Sequence, residues 1–234
     1  MKIKYIKLIL SSICLIIILL INVYFIKNKN NMKVVINKKI TCLNYNKIIK
    51  DLKNKYNNDD IVGVLKIEDK LEVPLVQSKD NDYYLNHSIY KKESNLGATF
   101  IDYRIDINSS RKILIYGHSA IKNDTPFNIL ENYYEKEYYE NHKYISLTTN
   151  KVEKIYDIFS VYVETSDFSY MNINFIDDED YYKHISSLKD KSLYDTGIEL
   201  KENDEILILQ TCSNHEDYKN YDKKYLLIIS RRID

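Results

Sequence analysis

Between Ile61 and Ser230 the sequence repeats one pattern eight times: a short run rich in Ile, Val, Leu and Tyr, closed by a cluster of Asn, Asp, Lys or Gly. Runs of β-branched and aromatic residues too short for helices read as strands. They span Ile61–Ile67, Leu71–Gln77, Gly97–Tyr103, Arg111–Tyr116, Lys143–Thr149, Val152–Glu164, Glu205–Gln210 and Tyr225–Ser230. Eight strands leave edges that must be hidden, and closing the sheet on itself hides them. The expected fold class is therefore mainly β with peripheral helices, arranged as an eight-stranded β-barrel. Helical spacing is confined to three stretches. Leu43–Tyr56 sets Ile48, Ile49, Leu52 and Tyr56 on one face, while Pro126–Glu140 and Asp178–Leu188 lie on connections, the last with Asp177 and Asp178 as capping residues.

Ahead of the barrel, Leu8 to Ile26 carries no charge and is flanked by Lys2, Lys4 and Lys7 on one side and Lys27 and Lys29 on the other. That length crosses a bilayer core as a helix, and the residues around Val23 to Ile26 offer no small-residue cleavage site. The domain plan expected is a membrane anchor over 1–30, a stalk and N-terminal helix over 31–58, and a barrel domain over 59–234. Nothing after Lys27 reads as a second span, so the remainder is expected on one side of the membrane, the outer one. Lys plus Arg and Asp plus Glu each number 34, a formal net charge of zero. A nucleic-acid binder would need a basic excess.

Candidate chemistry sits at the end of EILILQTCS, Glu205 to Ser213, where an apolar strand delivers Cys212 to a polar corner. Packing behind such a residue fixes it while the sulfur stays reachable, which is what a covalent nucleophile requires. The competing reading is a half-buried free thiol. Of three cysteines, Cys14 falls in the apolar N-terminal run, and a Cys42–Cys212 bridge would tie a stalk to the core strand, so none is expected. Five histidines are available as a partner. His118, in ILIYGHSA, leaves the end of the Arg111–Tyr116 strand through Gly117, as Cys212 leaves its own strand. His87 and His184 read as surface or helix-face residues. His215 forms a C-x-x-H half-site with Cys212, but no C-x-x-C completes a zinc set, so no metal is expected.

At these residues the chain resembles the sortases, in particular class B, the membrane-anchored cysteine transpeptidases of Gram-positive bacteria. The resemblance runs from about Asp60 to Arg231 and rests on ordered blocks: VGVLKI, VPLVQSKDNDYYLNHSIY, GATFIDYR, YGHS at Tyr116 to Ser119, SLYDTGIEL, and LQTCS at Leu209 to Ser213. It implies a sortase-type barrel in which Cys212 attacks the threonine carbonyl of an LPxTG-like sorting signal on a secreted protein. An amine of a peptidoglycan precursor or stem peptide would then resolve the thioester, with His118 moving the protons and no cofactor needed. The family's arginine at the start of the last strand is missing. Lys224, just before Tyr225, or its neighbour Lys223 stands there, and a lysine lacks the planar fork that grips two oxygens. Leu85, Asn86, Ser119 and the segment from Val163 to Tyr182 are candidates for the substrate groove, with scaffold as the alternative for each. Asp102 and Arg104 read as a paired turn device, with Asp102 a candidate to orient His118. The missing arginine leaves a second reading open, a tethered domain that binds sorting signals without joining them, and a third, an ordinary cysteine protease.

Overall fold

The computed structural model describes residues 43–120 and 122–234, together with Lys27. The expected anchor at 8–26, Cys14, Cys42 and most of the stalk lie outside the described residues; among the described residues no helix is long and apolar enough to cross a membrane. Residues Tyr45 to Asp234 form one compact unit.

Eight strands close into a barrel in the order β1-β2-β3-β4-β7-β8-β6-β5. They are β1 (Ile61–Ile67), β2 (Leu71–Val76), β3 (Phe100–Ile101), β4 (Lys112–Tyr116), β5 (Tyr144–Thr149), β6 (Glu153–Glu164), β7 (Ile206–Cys212) and β8 (Tyr225–Arg232). Closure comes from antiparallel pairing of β1 with β5, Gly63 opposite Thr149 through Ile67 opposite Ile145. Most neighbours are antiparallel, but β4 and β7 run side by side in the same direction, Lys112 opposite Ile206 and Tyr116 opposite Gln210. A strand buried on both faces loses the inside-outside alternation. All five residues of β4 and the first four of β7 are accordingly buried.

Helix α1 covers residues 43–56. Its Ile49 is buried, and Leu52 and Tyr56 pack on the barrel core as the spacing predicts, whereas Ile48 stays exposed. α2 is Lys136–Asn141, and α3 is Asp178–Asp190. Asp177 caps α3 as expected, its carboxylate accepting from the Asp180 N–H at 2.8 Å.

Two elements differ from the sequence expectation. The stretch Gly97–Tyr103 yields only two strand residues, because the buried Asp102 carboxylate takes the Arg104 N–H and turns the chain. The stretch Pro126–Glu140 is not one helix. Pro126–Tyr134 is 3-10 and breaks at Glu135, whose backbone is extended, before α2 begins. Tertiary anchors override helical spacing there: Tyr133 donates to the His142 carbonyl, and Tyr134 meets Ser213 at 2.6 Å.

The core strand β7 carries a large share of this packing, with Ile206 to Leu209 fully buried. Ile208→Ala is expected to lower the unfolding free energy by about 3 kcal/mol, read as a reduced urea midpoint with an unchanged slope.

Candidate active site

Parallel neighbours end at the same rim, so the β4–β7 register carries the chain past Tyr116 and past Gln210 on the same side of the barrel. The Gly117 N–H donates to the Gln210 carbonyl at 3.1 Å, and the Thr211 hydroxyl donates back to the Gly117 carbonyl at 2.8 Å. Cys212 and His118 are the next residues along. Gly117 is needed for space: a Cβ there would lie 2.6 Å from the Phe127 ring. Cys212 is the last residue of β7 rather than part of the turn, and it is a free, exposed thiol.

The imidazole of His118 is held by a backbone oxygen. Its Nε2 lies 2.9 Å from the Leu85 carbonyl, at the end of the 3-10 turn Tyr83–Leu85. A carbonyl can only accept, so Nε2 carries the proton and Nδ1 is the basic nitrogen of the neutral ring. Gly97, in the left-handed region at φ +58°, makes room for this contact. A Cβ on it would meet the Tyr84 and Leu85 carbonyls at 2.5 and 2.8 Å and His118 Cδ2 at 2.9 Å.

Asp102 does not orient His118. It is fully buried and accepts from the Tyr116 hydroxyl at 2.8 Å, Asn81 at 3.1 Å, and Arg104 through two nitrogens at 2.8 and 2.7 Å. Burial alone would raise its pKa, but the Arg104 guanidinium and these donors outweigh that and hold it at about 2. The expected Asp102–Arg104 pair is thus present, as a brace between β4 and the turn after β3.

Around the thiol, three charged or titratable groups face inward from three elements. Protein packed about the side chain desolvates it and pushes the Cys212 thiol up; Glu131, on the Pro126–Tyr134 segment, adds to the rise, and Lys224 opposes it. Lys224 is set by backbone pairing, its carbonyl accepting the Ser213 N–H at 2.9 Å. Tyr225, the cross-strand partner of Cys212, is the third. Lys223 lies over the Phe168 ring at 5.6 Å instead.

The four arginines of the chain are all engaged elsewhere. Arg104 serves Asp102; Arg111 pairs with Asp178 and donates to the Glu202 carbonyl. Arg231 faces Asp204, and Arg232 binds Glu205 and Asp234, at the end of β8 opposite the start of β7.

Of the expected groove residues, Leu85 and Asn86 are exposed beside His118. Ser119 is nearly buried, its hydroxyl donating to Asn128 at 3.1 Å and accepting from Asn214 at 2.7 Å. The segment after Val163 does reach the site's strands: Tyr170 donates to the Gln210 side chain at 2.6 Å, and Phe168 packs on Tyr225 at 5.9 Å.

The remaining histidines have structural partners. His87 stacks on Tyr83 and His142 on Tyr138, while His215 caps the turn Glu216–Tyr218 and lies 4.4 Å from the Tyr134 ring. His184, half-buried on a face of α3, meets the buried Lys112 at 2.7 Å, and burial lowers its pKa to about 4 and that of Lys112 to about 7. A trio unseen in the sequence, Glu68, Asp69 and His142, brings three potential metal-ligand atoms within 4.8 Å of one another, with Asp69 also paired to Lys70.

A closed eight-stranded barrel carrying a thiol and an imidazole at one rim is the architecture of the sortases. The family model described as Sortase domain matches residues 66–231, and the chain belongs to that family. Its relatives place it in class B. It is 33% identical over 165 residues to sortase B of Listeria monocytogenes serovar 1/2a, covering 69% of this chain and 66% of that one, just under two thirds of its length. To sortase B of Staphylococcus aureus strain NCTC 8325 it is 30% identical over 178 residues, covering 75% and 71%. The crystal structure of Clostridium perfringens sortase B superposes with a TM-score of 0.71 at 31% identity, covering 79% of this chain and 99% of that one.

Asp102→Asn is expected to cost about 2 kcal/mol, below the range for a fully buried pair because Arg104 keeps contact with water. The folded-state pKa of Asp102 is depressed to about 2, so its contribution is complete above about pH 4 and fades as the pH falls towards 2. Denaturation midpoints of the two proteins should therefore differ at pH 7 and converge near pH 2.

Proposed function

We propose that the chain is a cysteine transpeptidase, anchored by its apolar N-terminal segment with the barrel outside the membrane. It would cut an LPxTG-like sorting signal of a secreted protein between Thr and Gly and pass the acyl group to an amine of the cell wall. The observation that supports this most is the pairing of β4 with β7, which sets His118 and Cys212 at neighbouring strand ends. In the first half of the reaction Cys212 Sγ attacks the threonine carbonyl and its proton passes to His118 Nδ1. The C–N bond to glycine then breaks, and the imidazolium returns that proton to the leaving amine. In the second half the incoming amine loses a proton to the same nitrogen, attacks the thioester and expels the thiolate, which takes that proton back from the imidazolium and restores the resting pair. One amide is exchanged for another, with no oxidant, metal or organic cofactor in the balance.

A raised thiol pKa means that the resting thiol keeps its proton at neutral pH. The mechanism therefore relies on transfer to His118 rather than on a preformed thiolate. Lys224, whose charge favours the thiolate, is our candidate to stabilise the negative charge that develops during attack, as a single cation in place of a forked one. Leu85 and Asn86, exposed beside His118, are candidates to contact the peptide.

A second reading follows from the lack of any arginine at the thiol: a tethered domain that binds sorting signals without joining them. A fluorogenic LPxTG-type peptide separates the two. Cys212→Ala is expected to abolish cleavage, and mass spectrometry of the parent protein should trap an acyl-enzyme adduct. Lys224→Met should lower kcat/KM by about 10- to 100-fold and Lys224→Arg should keep or raise it. A parent protein that binds the peptide yet yields neither adduct nor product would establish the binding reading.

A further inference from the structure

Asn214, two residues past Cys212, is held through its side-chain nitrogen and through its backbone N–H. Its N–H donates to Glu131 Oε1 at 3.0 Å, and its side-chain Nδ2 lies 3.4 Å from the same oxygen. The same Nδ2 donates at 2.7 Å to the hydroxyl of Ser119, the residue immediately after His118. That hydroxyl spends its one proton on Asn128 Oδ1 at 3.1 Å. Asn128 is itself tied to the chain that follows His118, accepting from the Ala120 N–H at 2.8 Å and from Thr125 at 2.7 Å. Every donor and acceptor in this chain points one way, from Asn214 to Ser119 to Asn128, so the link has a single arrangement. Behind it, Tyr134 meets Ser213 at 2.6 Å, a second tie between the Pro126–Tyr134 segment and the residues after the thiol.

We propose that the Glu131–Asn214–Ser119 relay is a positioning device for the transpeptidase reaction. It fixes the separation of the segments leaving Cys212 and His118, with Glu131 presenting its negative charge to the thiol. The β4–β7 ladder stops at Tyr116 and Gln210, and beyond it only the Gly117–Thr211 exchange and this relay join the two segments among the described residues. Proton transfer between sulfur and imidazole is steep in distance, so a slack of about 1 Å in that spacing would be felt in turnover. Besides burial, the groups that act on the thiol's ionisation are Glu131 from the 3-10 segment and Lys224 from the β7–β8 connection; Tyr225 of β8 faces it across the ladder, and His215 in turn faces Glu131. Glu131 and Lys224 act on Cys212 in opposite senses, so Glu131 adds to burial in favouring the protonated thiol while Lys224 favours the charged one.

This proposal rests on the transpeptidase reading for its kinetics but not for its ionisation readout, so the two can fail separately. In full-length protein, Glu131→Gln keeps an acceptor for Asn214 and removes the charge. The midpoint of the pH profile for alkylation of Cys212 by iodoacetamide, followed by mass spectrometry, should fall by about half a pH unit. Glu216→Gln, an exposed acid four residues past the thiol, serves as the control and should leave it in place. Asn214→Ala, and Ser119→Ala from the other side of the link, should each lower kcat for sorting-peptide cleavage about tenfold with KM within twofold. An unchanged or raised alkylation midpoint in Glu131→Gln overturns the proposal whether or not the parent cleaves peptide. So does a rise in KM with kcat retained in Ser119→Ala, which would put that hydroxyl in contact with the peptide instead.

Discussion

The parallel pairing of β4 with β7 is the constraint on which the rest of this molecule depends. Antiparallel neighbours place their carboxyl ends at opposite rims, whereas a parallel pair brings both to one. Two segments about ninety positions apart are thereby joined by one register, and the loop closure this requires is repaid by strands buried on both faces. Ile113, Leu114 and Ile115 lie against Leu207, Ile208 and Leu209 in an apolar seam, and the bonds beyond its end, between Gly117 and Gln210 and between Thr211 and Gly117, match that register. The seam that holds the barrel together therefore also decides that sulfur and imidazole leave it side by side.

Beyond the seam the site is governed by backbone groups and by a balance of charge. His118 is aimed by the Leu85 carbonyl, and that oxygen is free to approach because residue 97 has no Cβ. The carboxylate that sequence proximity offered for the task, Asp102, is spent on Arg104 and Tyr116. Glu131 and Lys224 act on the thiol in opposite senses, and every arginine is committed to other partners. The rim that carries Cys212 and His118 is supported by a carbonyl, a glycine and the hydrogen-bonded chain of Asn214, Ser119 and Asn128.

Much of this was legible in the residues themselves. Alternation and β-branching located all eight strands, although β3 shrank to two residues because a buried carboxylate turns the chain, which a local pattern does not show. Cys212 and His118 stood out because each follows an apolar run, and the structure brings their strand ends together. Pro126–Glu140 kept helical spacing but not helical form, since Tyr133 and Tyr134 answer to distant partners. The role of Leu85 was hidden for a different reason: the atom that matters is a backbone oxygen, and every residue has one. Glu131 and Asn214 are more than eighty positions apart and match no short motif, so only the folded register makes them neighbours.

The β4–β7 seam also has a consequence for the order of events during synthesis. A chain emerging from its amino-terminal side can pair β1, β2, β3 and β4 while the far edge of β4, buried along its whole length in the finished barrel, still waits for a partner. That partner is the strand that bears the thiol. Until β7 docks, the growing chain holds His118 without Cys212 and a bare edge open to wrong partners. When it docks, the edge is covered and, in the same step, Cys212 reaches the rim that His118 already occupies, so assembly of the barrel and assembly of the candidate site are one event.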